Sequence, residues 1–250
     1  MNEKEILETM KELKVKLYKI RCRNWILSKG NGSGAAGRTL EYLLGKEEDR
    51  YILPDYCGIE LKTKSIYSDY PISLFSCAFD TKPREMYRLV DLYGYPSKDD
   101  PCFKNFMISV NAKYYIDKGR YSFKLHVNYE TKCLELLIAD NFLNIIKTKM
   151  EWSFSELRSR LEHKISYLAY VNVVRDRLNG SCYFKYLDAS FYKLKGFDVF
   201  IKLIDDRVIS VSFNISYDRR PEHYGEHLDR GTSFRIKADD LEKLFKKIEI

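Results

Sequence analysis

The 250-residue chain lacks a C-x-x-C pair, and no Gly-Lys-Ser or Gly-Lys-Thr follows its glycine-rich stretch. The first absence disfavours a zinc ribbon or a dithiol redox motif. The second excludes a P-loop. No internal repeat and no low-complexity linker interrupts the chain, and no strong domain boundary is visible. No apolar run reaches membrane-spanning length, and the N-terminus carries no apolar signal core, so neither a membrane segment nor secretion is expected. The six cysteines (Cys22, Cys57, Cys77, Cys102, Cys133, Cys182) are widely spread. Free thiols in a reducing cytoplasm are their expected state. What is present points to a folded protein. Apolar residues make up 45% and aromatics 14%, which excludes disorder. Twenty tyrosines and fourteen phenylalanines suggest a sheet-rich centre. Lys and Arg number 43 against 36 Asp and Glu, a net charge of +7 that fits a polyanionic partner without requiring one. The length allows one large domain or two small ones.

Apolar positions at Ile6, Leu7, Met10, Leu13, Leu17 and Ile20 have helical spacing, which predicts a helix over Glu3 to Ile20. Ser28 to Gly34 reads as a flexible loop, and a helix follows from about Ala35 to Lys46. Strands are expected at Asp55–Lys64 and Ile72–Phe79, then a helix at Arg84–Tyr93 stopped by Gly94-Tyr95-Pro96. Three strand-like pieces follow: Phe103–Asn111, Tyr121–Tyr129 and Cys133–Ile138. Ser153 is placed to cap a helix running to His163, with Glu156 completing a capping box. Tyr167–Val174 is an apolar strand with both faces buried; Tyr183–Leu187 and Arg207–Tyr217 are further strands. The chain is expected to end in a helix from about Ala238 to Ile248.

The densest chemistry lies in Pro54-Asp55-Tyr56-Cys57-Gly58-Ile59-Glu60-Leu61-Lys62. On a strand, Ile59, Leu61 and Thr63 face one way and Glu60, Lys62 and Lys64 the other. The short Tyr56-Cys57-Gly58 link lets Asp55 reach the second face. Asp55 and Glu60 then offer hard oxygen ligands to one divalent cation, and Lys62 is placed to orient the attacking water or steady the phosphate. A metal there offsets charge at the attacking and leaving oxygens. The bland alternative is a solvated strand face, and the motif alone does not decide between them.

The flanking blocks decide. Lys29-Gly30-Asn31, Gly34, and Gly37-Arg38-Thr39-Leu40-Glu41-Tyr42-Leu43-Leu44-Gly45-Lys46-Glu47-Glu48-Asp49 precede Pro54-Asp55 and Gly58-Ile59-Glu60-Leu61-Lys62-Thr63. Ser73-Leu74-Phe75, Tyr93-Gly94, Trp152-Ser153-Phe154 and Asp229-Arg230-Gly231-Thr232-Ser233-Phe234-Arg235-Ile236 follow in order. In this series the chain resembles the MvaI/BcnI family of restriction endonucleases and, more distantly, the mismatch-repair nicking enzyme MutH. Leu228, Ser76 and Ser233 stand where some members carry histidines, so the chain looks nearer to MvaI than to BcnI.

The resemblance implies an α/β (α+β) PD-(D/E)xK nuclease fold, a mixed central sheet flanked by helices. It implies Asp55 and Glu60 as metal ligands, Lys62 as the third catalytic residue, Glu41 as an active-site helical glutamate and Mg2+ as the cofactor. One endonuclease unit is expected over residues 1–250, with catalytic chemistry in about 1–150 and DNA recognition in 151–250. Arg219, Arg220, His223, His227, Asp229, Arg230 and Arg235 are the candidate contacts, being donors suited to guanine edges or phosphates, Asp229 apart. His223 and His227 have zinc spacing for a helix, but the glycine and proline around them argue against one. The Gly30–Gly37 loop is a candidate for approach to the DNA backbone. The expected activity is type II cleavage of double-stranded DNA at a short, CCWGG-like site. It would be carried out in the cytoplasm by a monomer that nicks the strands in turn. A companion DNA methyltransferase would belong to the same system without forming a stable complex. The rival readings are a MutH-like strand-specific nickase and a catalytically inactive DNA-binding module.

Overall fold

The computed structural model describes residues 2–46, 53–80 and 84–250. Glu47, Glu48 and Asp49 of the first sequence block lie outside the described residues. Among the described residues the fold is α+β, with three sheets and helices flanking them. It divides into two units: residues 1–72, 161–196 and 241–250 form one, and 73–160 with 197–240 the other. Both units are threaded from separated segments, because the strands that complete each sheet come from distant parts of the chain. Among the described residues no helix is long and apolar enough to cross a membrane.

The first unit is built on a mixed sheet with strands in the order Trp25–Leu27, Ser181–Leu194, Tyr167–Leu178, Glu60–Ser65. Tyr167–Leu178 and Ser181–Leu194 form a long antiparallel hairpin. Its turn is Asn179-Gly180, both at positive φ (49° and 78°), the pairing that two-residue hairpins favour. Tyr167–Leu178 also runs parallel to Glu60–Ser65, pairing Leu168 with Glu60 and Tyr170 with Lys62. Among the described residues Glu60–Ser65 is therefore an edge strand. The helix Glu3–Cys22 starts at an Asn2–Glu5 capping box and buries Ile6, Met10, Leu13, Leu17 and Ile20. That stripe joins one core cluster with Val171, Val173, Phe184, Tyr186 and Phe191 of the hairpin and with Ile59 and Leu61. Removing these apolar groups from water supplies the main stabilisation of the unit.

The second unit holds two sheets. One is an antiparallel meander of Ile116–Lys118, Tyr121–Asn128, Cys133–Asp140 and Glu151–Ser153, with Ile145–Ile146 added beside Cys133–Asp140. The other orders Ile72–Ser76, Ser233–Ile236, Ile209–Tyr217, Lys104–Val110 and Tyr95–Pro96, with His227–Asp229 beside Ile209–Tyr217. Its core is aromatic. Trp152 is fully buried and contacts the rings of Phe79, Phe213 and Phe234, and its indole N–H donates to Cys77 O at 3.2 Å. Phe234 stacks on Phe75 at 4.8 Å.

Three of the departures from the sequence reading have a clear physical reason. Ser153 caps the helix Phe154–Ile165 through Glu156 N (3.3 Å), but the capping box is incomplete. Glu156 binds Arg160 instead, and Asp80 takes the Ser153 N–H. The helix Phe197–Asp205 stands where no element is expected; its short apolar run has the length of either a strand or a helix. The expected C-terminal helix is instead a 3-10 turn (Ala238–Asp240), one helical turn (Leu241–Leu244) and the strand Phe245–Ile248. That strand pairs with Ser181–Leu194, and Phe245 is 1% exposed, so tertiary pairing overrides a helical pattern.

Candidate active site

The chemistry begins with a tight turn. Cys57 and Gly58 both have positive φ (42° and 83°), and Tyr56 and Ile59 exchange backbone hydrogen bonds of 2.9 and 2.8 Å. Two successive left-handed residues make a turn of the I′ kind, which reverses the chain in two residues. Tyr56 and Ile59 pack into the core on one side. Asp55 and Glu60, one step further out on each arm, therefore share the opposite side. Glycine at position 58 meets the positive φ without strain; cysteine at 57 does not. Asp55 is fastened by Leu61 N, which donates to its Oδ2 at 3.1 Å.

Three lysines surround these two carboxylates. Lys62 Nζ lies 2.7 Å from Glu60 Oε1, on the same strand face. Lys46 Nζ lies 3.1 Å from Asp55 Oδ1. Lys164, in the last turn of the helix Phe154–Ile165, lies 2.9 Å from Glu60 Oε2 and 3.6 Å from Asp55 Oδ1. Glu60 is 1% exposed, and its Oε2, despite the nearby ammonium, receives no well-directed hydrogen bond. Burial pushes the Glu60 carboxyl up, reinforced by Asp55 and opposed by the Lys62 and Lys164 charges. Burial acts on Asp55 in the same direction. There the charge of Lys164, with the hydrogen bonds from Lys46 and Leu61, outweighs it and holds the group below the usual carboxylate range. Glu41, on the helix Ala35–Leu43, belongs to the same cluster: burial and then the charge of Asp55 raise it, against the pull of Lys46, Lys164 and Lys62. That helix comes close to the strand Glu60–Ser65 at Gly37, where a Cβ would lie 3.7 Å from Glu41 Oε1 and 3.8 Å from Thr63 Oγ1.

These residues fit a hard divalent cation. Among the described residues there is no group of three or more His, Cys, Asp or Glu side chains arranged for a metal. Two carboxylates suffice for Mg2+, which keeps several waters and takes further oxygens from a phosphate. The buried Glu60 Oε2 without a directed donor is the atom such an ion would satisfy.

The structure brings Asp55, Glu60, Lys62 and Glu41 together. Sequence reasoning missed Lys46 and Lys164. The only signal for Lys164 is its place three residues before the strand that runs parallel to Glu60–Ser65, and that pairing is not readable from sequence. Beside the site, Lys29, Gly30, Arg38, Glu41, Tyr42, Gly45 and Lys46 line a cavity of about 500 Å³. Of the expected Gly30–Gly37 loop, Ala35 to Gly37 are helical; Gly30 and Gly34 pack against the Arg38 guanidinium, whose Nη2 donates to Asn31 O.

The other candidates lie in the second unit. Arg219 reaches Ser97 Oγ and lies 3.5 Å from Asp99. Arg220 is clamped by Asp218, at 2.6 Å through Nη2, and this guanidinium holds the Asp218 carboxyl far below its usual range. His223 Nδ1 sits 3.0 Å from Glu226 in an exposed 3-10 turn, Pro221–His223. His227 starts a strand, so the two histidines do not share a helix face. His227 Nε2 meets Asp91 Oδ1 at 2.7 Å, and its ring stacks on Tyr87 and leans on Tyr217. Asp229 accepts from Gly231 N and is raised by burial. Arg230 donates to Ser216 and Arg235 to Ser233, each at 2.8 Å. Burial lowers the Arg235 pKa.

Among curated proteins, none matches the chain. Two solved structures share its fold at 24% identity, each covering 99% of this chain and 98% of its own. One is described as the restriction endonuclease MvaI-cognate DNA substrate complex (TM-score 0.89), the other as restriction endonuclease MvaI in the absence of DNA (TM-score 0.62). The sequence profile of the MvaI/BcnI restriction endonuclease family matches residues 14–245. A match across nearly the whole chain, Asp55, Glu60 and Lys62 included, means that this chain belongs to the MvaI/BcnI restriction endonuclease family, whose members are type II site-specific deoxyribonucleases.

Proposed function

We propose that this endonuclease hydrolyses one phosphodiester in each strand of duplex DNA with Mg2+, at a short CCWGG-like site. In this reading it is a monomer that cuts the strands in succession and leaves 5′-phosphate and 3′-hydroxyl ends. Its family generally uses divalent metal ions. Asp55 and Glu60 would hold the ion; when bound, it offsets negative charge at the attacking and leaving oxygens. Lys62 orients the attacking water or steadies the phosphate, and Glu41 would orient Lys62 or help to hold the ion through water. The observation that carries the reading is the turn at Cys57-Gly58, which puts Asp55 and a nearly inaccessible Glu60 on one side of an edge strand, facing a common ammonium.

Duplex recognition is assigned to Arg219, Arg220, His223, His227, Asp229, Arg230 and Arg235. Support comes from the exposed side chain of Arg220 and from the MvaI complex with its cognate DNA. Phosphate contacts should outnumber base contacts among them. His227 and Asp229 fit better as supports for their neighbours, since each is already held by Asp91 or Gly231.

Unmethylated phage DNA digested by the purified protein with Mg2+ should give discrete fragments sharing one end sequence. Nicks alone would favour a MutH-like nickase, and intact DNA would overturn the nuclease reading. Asp55→Ala should abolish cleavage while DNA binding in a gel-shift assay persists. Full activity in that variant would remove Asp55 from the site.

A further inference from the structure

The proposed chemistry gives no task to Lys46 or Lys164, and of the two only Lys164 faces both carboxylates. Lys62 holds Glu60, and Lys46 holds Asp55. The Lys164 ammonium faces both, 2.9 Å from Glu60 Oε2 and 3.6 Å from Asp55 Oδ1, while donating to Leu53 O at 2.8 Å. It occupies the side of Glu60 where Oε2 has no well-directed donor. A buried pair of carboxylates is costly without a counter-charge, and this amine supplies one that both can share. A divalent cation held by the same oxygens would meet a positive charge at contact distance. Amine and ion cannot occupy that position together.

We propose that Lys164 is a displaceable internal cation: it neutralises and positions Asp55 and Glu60 in the metal-free enzyme and is expelled when the divalent ion binds. The proposal rests on reading Asp55 and Glu60 as the metal ligands. A lysine suits the task, being a compact charge on a flexible four-carbon stem. Its side chain is 17% exposed, so the amine is not sealed from solvent.

The test is Mn2+ binding to the full chain without DNA, followed by electron paramagnetic resonance. Lys164→Met removes the competitor, so Mn2+ should bind roughly tenfold more tightly, equivalent to about 1.4 kcal/mol. Lys164→Arg keeps the charge and should stay near wild type. A lysine serving only as scaffold would give the opposite sign, with weaker Mn2+ binding on removal. In the wild-type protein, reductive methylation mapped by mass spectrometry should find Lys164 several-fold more reactive with Mn2+ than without; this arm stands even if a variant fails to fold. Asp55→Asn separates the two ideas. If it binds Mn2+ like wild type, or if neither wild type nor Lys164→Met binds Mn2+, the metal-site reading fails. If Asp55→Asn loses Mn2+ while Lys164→Met is unchanged or weaker and Lys164 methylation does not respond, the displaceable cation alone is wrong.

Discussion

Tyr217 donates its phenolic hydrogen to Asp91 Oδ1 at 2.6 Å, and the same oxygen holds His227 Nε2 at 2.7 Å. Burial, then the hydrogen bond to Asp91 and its charge, push the Tyr217 hydroxyl up to about 12. An unfolded tyrosine titrates near 10, so the folded state holds this proton more tightly. That contribution is complete below about pH 10 and is lost as pH rises towards the folded value. Tyr217→Phe should therefore lose less stability than wild type between about pH 9.5 and 11.5. Urea midpoints at both ends of that range measure it, and equal losses would refute the assignment. Asp91 has the reverse sign. Burial would raise it, but the bonds from Tyr217 and His227 prevail and hold it low. Its contribution is present above the ordinary aspartate range and fades as pH falls through the depressed value. Residues of this kind were half-legible. His227 was visible as a polar residue in a recognition-like run, but its carboxylate partner lies 136 positions away. That Asp55 and Glu60 lie side by side is legible, because a two-residue turn is a local object. Lys46 and Lys164 were not, since neither belongs to the motif and only folding brings the second beside Glu60.

At the scale of elements, two positions show where backbone geometry rules. A Cβ on Gly94 would fall 2.3 Å from Val90 O and 3.0 Å from Lys104 Cβ, and backbone cannot yield as a side-chain tip can. Gly94→Ala should cost about 1–3 kcal/mol, as overpacking commonly does. Calorimetry should show a lower Tm, and an unchanged Tm would mean that the helix end relaxes freely. The C-terminal strand gives the second test. Phe245 is 1% exposed and meets Tyr192 edge-on. Phe245→Ala should destabilise by about 3–5 kcal/mol in urea unfolding; a cost under about 1 kcal/mol would mean that the site collapses around the smaller side chain. The elements read correctly were those with long, unambiguous periodicity, such as Glu3–Cys22 with its five buried apolar residues. The element misread as a helix, Phe245–Ile248, has a pattern that either structure accepts, and its pairing with Ser181–Leu194 decides.

For the whole molecule, the net charge of +7 sets the long-range field towards a polyanion. DNA affinity in EDTA should fall linearly with log salt, with a slope of roughly −0.9 per phosphate contact. Fluorescence anisotropy over about 50 to 200 mM salt should therefore lose on the order of a thousandfold for six contacts. A flat response would remove the basic residues from the interface. The amino-acid sequence by itself determined the acid pair, the lysine after it and the family, because these reside in short spans whose spacing survives any packing. The tertiary structure decided the division into two interleaved units and the edge placement of Glu60–Ser65, which follows from its parallel pairing with Tyr167–Leu178. It also decided the ring of three lysines around two carboxylates. Parallel pairing joins segments a hundred residues apart, and nothing in either segment names its partner; the register is settled only when a common core closes over both.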